Sequence, residues 1–358
     1  YHCPRFSRHP PCEKNMTSEV CVMNRYAAVL AADSATTVTH GWGDTREERY
    51  FKGANKIFQI SDHHPIGMMV FDSADLLRVP WELIVKSFRR ELAEKSFNTL
   101  AEYSAEFFDF IRKNLQIFPD GVRQEALSKA TRSIALSYLI KARDTSLDSA
   151  GLTAEVDAEI AARQAELNQI DYIAGLDETA VDLGRATVAA GVVAELQAFI
   201  ADFALPQPTS LQALVDVSLF EVYKNPGNHL GRTGLVFAGF GDHDVFPSMI
   251  HYSCQGLALN SLIHHEVERT VVDYETPAGI NAFAQTSMTD TFTLGVSFDV
   301  YSSLLDALGP GIQGVVEQLC TAANVDAANI PNLDQIVADG RKARCDTHVP
   351  VDGGRARG

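Results

Sequence analysis

The chain lacks a surplus of basic charge, a cysteine framework, a long apolar run and any internal repeat. Each absence removes a class of function. Its 30 Lys and Arg stand against 46 Asp and Glu, a formal net charge of -16. Neutralising nucleic-acid phosphates or an anionic membrane takes clustered cations, so neither partner is expected. The six cysteines, at positions 3, 12, 21, 254, 320 and 345, form no CxxC pair and follow no regular spacing. That argues against a zinc site or disulfide scaffold and reads as reduced, cytosolic thiols. No uninterrupted apolar run approaches the roughly 18 residues of a membrane-spanning helix, and residues 1–15 carry no apolar segment of the signal-peptide kind. The expectation is a cytoplasmic protein with no cofactor or metal, acting on small molecules or protein partners.

What is present is enough apolar material for a large core: 46% of 358 residues are hydrophobic, which suits one enlarged domain over residues 16–339. Residues 1–15, YHCPRFSRHPPCEKN, have no apolar periodicity and are expected to be a disordered tail, a propeptide or a non-native extension. Residues 340–358 read as an irregular basic tail.

Between these ends the hydrophobic period changes several times. Residues 18–23 and 27–34 are two apolar-rich runs of strand length, separated by Asn24, Arg25 and Tyr26 as a short hairpin turn. A turn centred on Arg25 sets Met23 opposite Ala27 and Thr17 opposite Asp33. A polar loop over 40–55 leads to apolar runs at 56–60 and 65–71, the second ending at Asp72-Ser73-Ala74-Asp75. From residue 79 the period becomes helical: Trp81, Val85, Phe88 and Leu92 share a face, and Pro80 suits a first turn. Helices are expected at 101–114, 121–141, 153–173 and 178–203, a helical block over about 79–203 closed by Pro206 and Pro208. Strands return at 233–241 and 248–254. Another helix is expected from near Ala278, and nothing after Pro331 reads as a strand. The order suits an α+β fold, with sheets packed between helical layers.

Three residues form the chemically interesting set. A threonine hydroxyl is a weak nucleophile, but a chain-terminal threonine has its own α-amine at hand as base. A neighbouring lysine ammonium favours the neutral, proton-accepting amine, and an aspartate orients the lysine. Thr17, Lys56 and Asp33 fit these roles if Met16 and everything before it are removed. The bland alternative is that Asp33 ends a strand and Lys56 is a solvated edge residue. Other features carry less. His63-His64 and His264-His265 are adjacent, so their side chains diverge. GFGDHD at 239–244 reads as a turn, Cys21 as a core residue without a base, and Asp290 as solvated helix surface.

The stretch TSEVCVMNRYAAVLAADSATTV followed by NKIFQI resembles the opening of proteasome β-type subunits and their bacterial relatives, the N-terminal nucleophile hydrolases. On that resemblance Thr17 matches the nucleophile, Asp33 the acid and Lys56 the lysine. The Thr-to-Asp spacing agrees without a gap, and the lysine needs a longer loop. HHPIGMMVF, SADLLRVPWE, GLVFAGFGDHDVFPSM and FAQTSMTDTF resemble a group of uncharacterised bacterial proteasome-like proteins. The resemblance implies a four-layer αββα sandwich with an enlarged helical layer, homo-oligomers including rings, and an amidohydrolase or peptidase acting on a peptide or amide. It departs at the oxyanion region, Asp72 and Ser73. There the pattern has glycine, and a carboxylate would face a developing oxyanion at a backbone angle suited to glycine. Arg78 stands where a small residue is usual. These departures support a rival reading, a non-catalytic structural ring subunit, and the atypical ends a third, a damaged chain that does not fold stably.

Overall fold

The computed structural model describes residues 18–40, 47–52, 55–143, 148–173, 175–227 and 229–284, with isolated positions between 291 and 322. Thr17, Asp290 and the two terminal tails lie outside the described residues, as does the stretch after Pro331. Among the described residues the fold is mixed α and β, with antiparallel sheets and six α-helices of defined bounds.

Strands β1 (Ser18–Asn24) and β2 (Ala28–Ala32) form a hairpin, and β12 (Ala278–Ala284) pairs with the other edge of β1. The hairpin turn is one residue shorter than expected. Asn24 Oδ1 accepts the amides of Tyr26 (2.8 Å) and Ala27 (3.0 Å), and the Asn24 N–H bonds Ala27 O at 3.0 Å. This centres the turn between Arg25 and Tyr26, so Met23 faces Ala28 and Glu19 faces Ala32. The expected pairing of Thr17 with Asp33 is thereby corrected: the Asp33 N–H bonds Ser18 O at 3.2 Å. An asparagine side chain mimicking a turn backbone decided the register.

The second sheet runs β11-β10-β9-β6-β5, from β11 (Ser261–Val271), β10 (Ser248–Ala258), β9 (Thr233–Gly239), β6 (Ile66–Phe71) and β5 (Ile57–Gln59). Every residue of β9 is buried, as a central strand covered on both faces requires. On one face Cys21 and Met23 of the first sheet meet Met69, Phe71, Val236 and Met249. On the other, α1 (Trp81–Leu92) and α2 (Leu100–Lys113) bury Trp81, Phe88, Phe107 and Phe108 against Phe237 and Ile250. Pro80 is the N-cap of α1 rather than its first residue. Thr99 and Glu102 close a reciprocal capping box on α2.

Helices α3 (Asp120–Arg143), α4 (Ser149–Leu167), α5 (Glu178–Phe203) and α6 (Leu211–Lys224) build a separate core that reaches the sheet through Ala258, Leu259 and Ile263. The Asp148, Asp177 and Ser210 side chains cap α4, α5 and α6. Although no long uninterrupted apolar run was expected, α5 is long and apolar enough, by length and composition, to cross a membrane. Its stripe Val181, Val188, Val192, Leu196 and Ile200 is buried within this helical core.

Several expectations are overturned. The helix foreseen from Ala278 begins as strand β12, because pairing with the open edge of β1 outweighs its alanine content. The polar loop at 40–55 contains β4 (Glu47–Lys52), paired with β3 (Ala35–His40). The prolines 206 and 208 do not end the helical block, since Ser210 caps α6 beyond them. β11 is an edge strand whose exposed charges Glu266, Glu268 and Arg269 hid its pattern. The short strands β7 (Asp75–Leu76) and β8 (Val79–Pro80) complete the fold.

Gly234 is the tightest approach next to the site described below. A Cβ there would lie 2.0 Å from the Phe71 ring. Gly234→Ala is expected to destabilise by about 1–3 kcal/mol through overpacking, whereas Gly121→Ala, with nothing within 4 Å, stays near wild type. Urea unfolding of both variants checks the contrast.

Candidate functional site

Six strand ends meet at one edge of the sandwich. There β1 and β9 begin, β2, β6 and β12 end, and β5 opens just after Lys56. The Lys56 carbonyl accepts the Val70 N–H at 2.8 Å, which ties its backbone to β6. Its side chain crosses to the other sheet, where Nζ donates to Asp33 Oδ1 at 2.6 Å and to Glu19 Oε1 at 2.8 Å. Asp33 Oδ2 in turn accepts the Ser18 N–H at 3.4 Å.

Two of the three expected catalytic residues, Asp33 and Lys56, are therefore in contact across 23 positions of sequence. The third, Thr17, lies outside the described residues and is bonded to Ser18. Glu19 was missed by sequence reasoning, because it reads as an ordinary residue of a two-faced strand. The overlooked signal was its place in the alternation: Glu19 shares a face with Cys21 and Met23, and that face is the buried one. Glu19 is 1% exposed. Burial raises its pKa above the ordinary carboxylate value, an effect that Lys56 offsets in part and that Asp33 and Asp72 reinforce.

The oxyanion region follows β6. Asp72 has a φ of 69°, and the Ser73 N–H bonds Phe71 O at 3.1 Å, so Asp72 is the centre of the rarer, strained kind of γ-turn. The Ser73 N–H is spent on that turn, and the Ser73 hydroxyl donates to Asp75 O at 3.0 Å. Asp72 Oδ2 accepts from Arg232 Nε at 3.2 Å. Arg232, one residue before β9, was a second residue missed by sequence reasoning. The carboxylate that departs from the resembled pattern thus has a guanidinium beside it. Arg78 also has positive φ, 68°, and its amide is held by Asp75 Oδ1 at 3.0 Å.

Behind this turn Phe71 stacks on Phe283 with centroids 5.5 Å apart, and the His251 ring lies 5.3 Å from Phe71. Burial, then the charges of Arg232 and His265, lowers the His251 pKa to about 4, so it stands neutral at neutral pH. Cys21 is fully buried and its thiol is pushed up to about 12 by burial, which leaves no thiolate for chemistry. The His264-His265 pair diverges as expected: His264 stacks on Phe108 at 3.9 Å while His265 is exposed. Among the described residues no three His, Cys, Asp or Glu side chains gather as a metal site.

A cleft of about 280 Å³ opens alongside Ser73, between the 75–78 turn, α3 and the segment leading into β9. Arg78, Lys129 and Arg232 line it together with Asp75 and Glu125. Arg78 pairs with Glu125 at 2.8 Å. No protein-family model matches the chain, and no curated protein is significantly similar to it.

Lys56→Met strips the ammonium from two carboxylates and is expected to destabilise by about 3 kcal/mol at pH 8. An acid whose folded pKa is raised contributes most at low pH and loses that contribution as pH rises. The deficit against wild type should therefore shrink as pH falls toward 5, which paired thermal unfolding curves measure. Asp72→Gly relieves a positive φ at the cost of an exposed ion pair, so a net gain of about 0.5–1 kcal/mol is expected in the same assay.

Proposed function

We propose that the chain is a threonine-type N-terminal nucleophile amidohydrolase, a peptidase or amidase, cytoplasmic and homo-oligomeric. One observation carries the reading: the Lys56 ammonium is held between Asp33 and Glu19 at the strand end where Ser18 begins β1. Two residues proposed from a resemblance, remote in sequence, are in contact, and that contact supports the reading.

In this reading Thr17 becomes the first residue. Its Oγ attacks a substrate carbonyl carbon while the α-amine accepts the hydroxyl proton. The tetrahedral oxyanion collapses, the carbon–nitrogen bond breaks, and the amine returns the proton to the leaving nitrogen. Water then attacks the resulting ester carbonyl as the amine takes its proton, the carbon–Oγ bond breaks, the amine returns the proton to Oγ, and the carboxylic acid is released. Lys56 disfavours a second positive charge on the amine, and Asp33 orients Lys56. The cleft beside Ser73 is of a size to receive substrate next to the scissile bond.

The finer fold assignment belongs to the same proposal. The outer face of the three-stranded sheet exposes Val22, Val29 and Ile280. Helical residues between 291 and 322 expose Val300 and Leu304, and Val315 and Leu319, at four-residue spacing. Packing these against that face completes a four-layer αββα sandwich.

A specific observation favours a second reading, a non-catalytic ring subunit. The Ser73 N–H is engaged by Phe71 O, and Asp72 places a carboxylate where an oxyanion would form.

Incubating protein processed at Thr17 with a threonine-directed electrophile, followed by intact-mass and peptide analysis, separates the two. Stoichiometric adduct on Thr17, with turnover abolished and assembly unchanged in Thr17→Ala, is expected. Absence of adduct together with ring particles would transfer the assignment to the structural subunit.

A further inference from the structure

Glu19 belongs to neither the nucleophile nor the oxyanion region, yet it is the most buried charged residue of the site. Its Oε1 accepts from Lys56 Nζ at 2.8 Å, while Oε2 is buried with no hydrogen-bond partner among the described residues. The charged groups around it come from four elements. Lys56 precedes β5, Asp33 follows β2, Asp72 follows β6, and Arg232 precedes β9 and pairs with Asp72. From β10 the neutral His251 packs on the Phe71 and Phe283 rings, and Phe283 of β12 pairs directly with Glu19.

Two cations, Lys56 and Arg232, balance two anions, Asp33 and Asp72. Among the described residues an ionised Glu19 would add one further negative charge at a fully buried carboxyl, and its unpartnered Oε2 would carry part of it. A neutral acid keeps the Oε1 contact to Lys56 and leaves the group balanced.

We propose that Glu19 is held as a carboxylic acid and is the positioning residue for Lys56, fixing the ammonium from the core side without adding negative charge at the end of β1, to which Thr17 is joined in sequence. An extra anion there would raise the amine pKa and keep the base protonated. The upward displacement of the Glu19 pKa by burial agrees in direction. Only the kinetic consequence rests on the reading of Thr17 as nucleophile.

Two measurements on the full chain test this. In ¹³C-carboxyl NMR of glutamate-labelled protein, assigned with Glu19→Gln, the Glu19 resonance is expected to titrate above the ordinary value of 4.5. In Lys56→Met it should titrate higher still. A Glu19 carboxyl that is ionised at neutral pH overturns the proposal. In the second, the rate of Thr17 labelling is followed against pH on processed protein. Glu19→Ala should lower it on the order of tenfold or more through a misplaced Lys56, and Glu19→Gln should restore the greater part. Above the Glu19 titration the wild-type rate should fall below that of Glu19→Gln. Equal loss in both variants would mean that a charge is required, and would sink the idea. If wild-type Thr17 takes no label at any pH, the nucleophile reading fails, and the carboxyl titration still decides the state of Glu19.

Discussion

The bridge from Lys56 to Asp33 and Glu19 is the constraint on which the docking of the two sheets at this edge depends. Lys56 is anchored by its backbone to the five-stranded sheet and by its side chain to the three-stranded one. A buried ammonium with no carboxylate, or a buried carboxylate with no ammonium, costs several kcal/mol, so the two sheets must dock with these groups aligned. The β1–β2 register enforces the same alignment from within. Slipping β1 by one residue would turn Glu19, Cys21 and Met23 outward together, losing the bridge and the inter-sheet packing at once.

Strain gathers beside that bridge. Asp72, Leu77 and Arg78 all have positive φ within one seven-residue stretch, a conformation that costs most side chains energy. The surroundings hold it in place. Phe71 is wedged between Phe283 and the bare backbone of Gly234, Arg232 reaches the Asp72 carboxylate, and Asp75 ties down the Arg78 amide. The strained turn borders both the Lys56 cluster and the cleft.

The helical block contributes to this edge from outside. Its core extends to the sheet at Ala258, Leu259 and Ile263, and Arg123 of α3 reinforces that junction by donating to Leu259 O at 3.4 Å. The same end of α3 supplies Val122, Glu125 and Lys129 to the cleft wall. The enlarged layer therefore shapes what can approach the turn at 72–78 while standing away from the Lys56 bridge.

Much of the fold was legible because the relevant forces are local. Short apolar runs bounded by turn residues marked β1, β2, β6 and β9, helical spacing placed α1 to α5, and the resemblance named Asp33 and Lys56, which the fold brings into contact. Where partners distant in sequence compete with local pattern, the reading failed. An alanine-rich stretch became β12 because β1 offered an unpaired edge, and a charged stretch became β11 because an edge strand needs one dry face only. Asn24 moved the hairpin register by one residue through side-chain bonds that strand periodicity does not encode. Spacing and side-chain type were enough to mark most strands and helices among the described residues, because local periodicity reflects which face is buried. The tertiary structure alone decided that Glu19 joins Lys56 and that Arg232 faces Asp72, since burial and charge pairing exist only once separate strands share one edge.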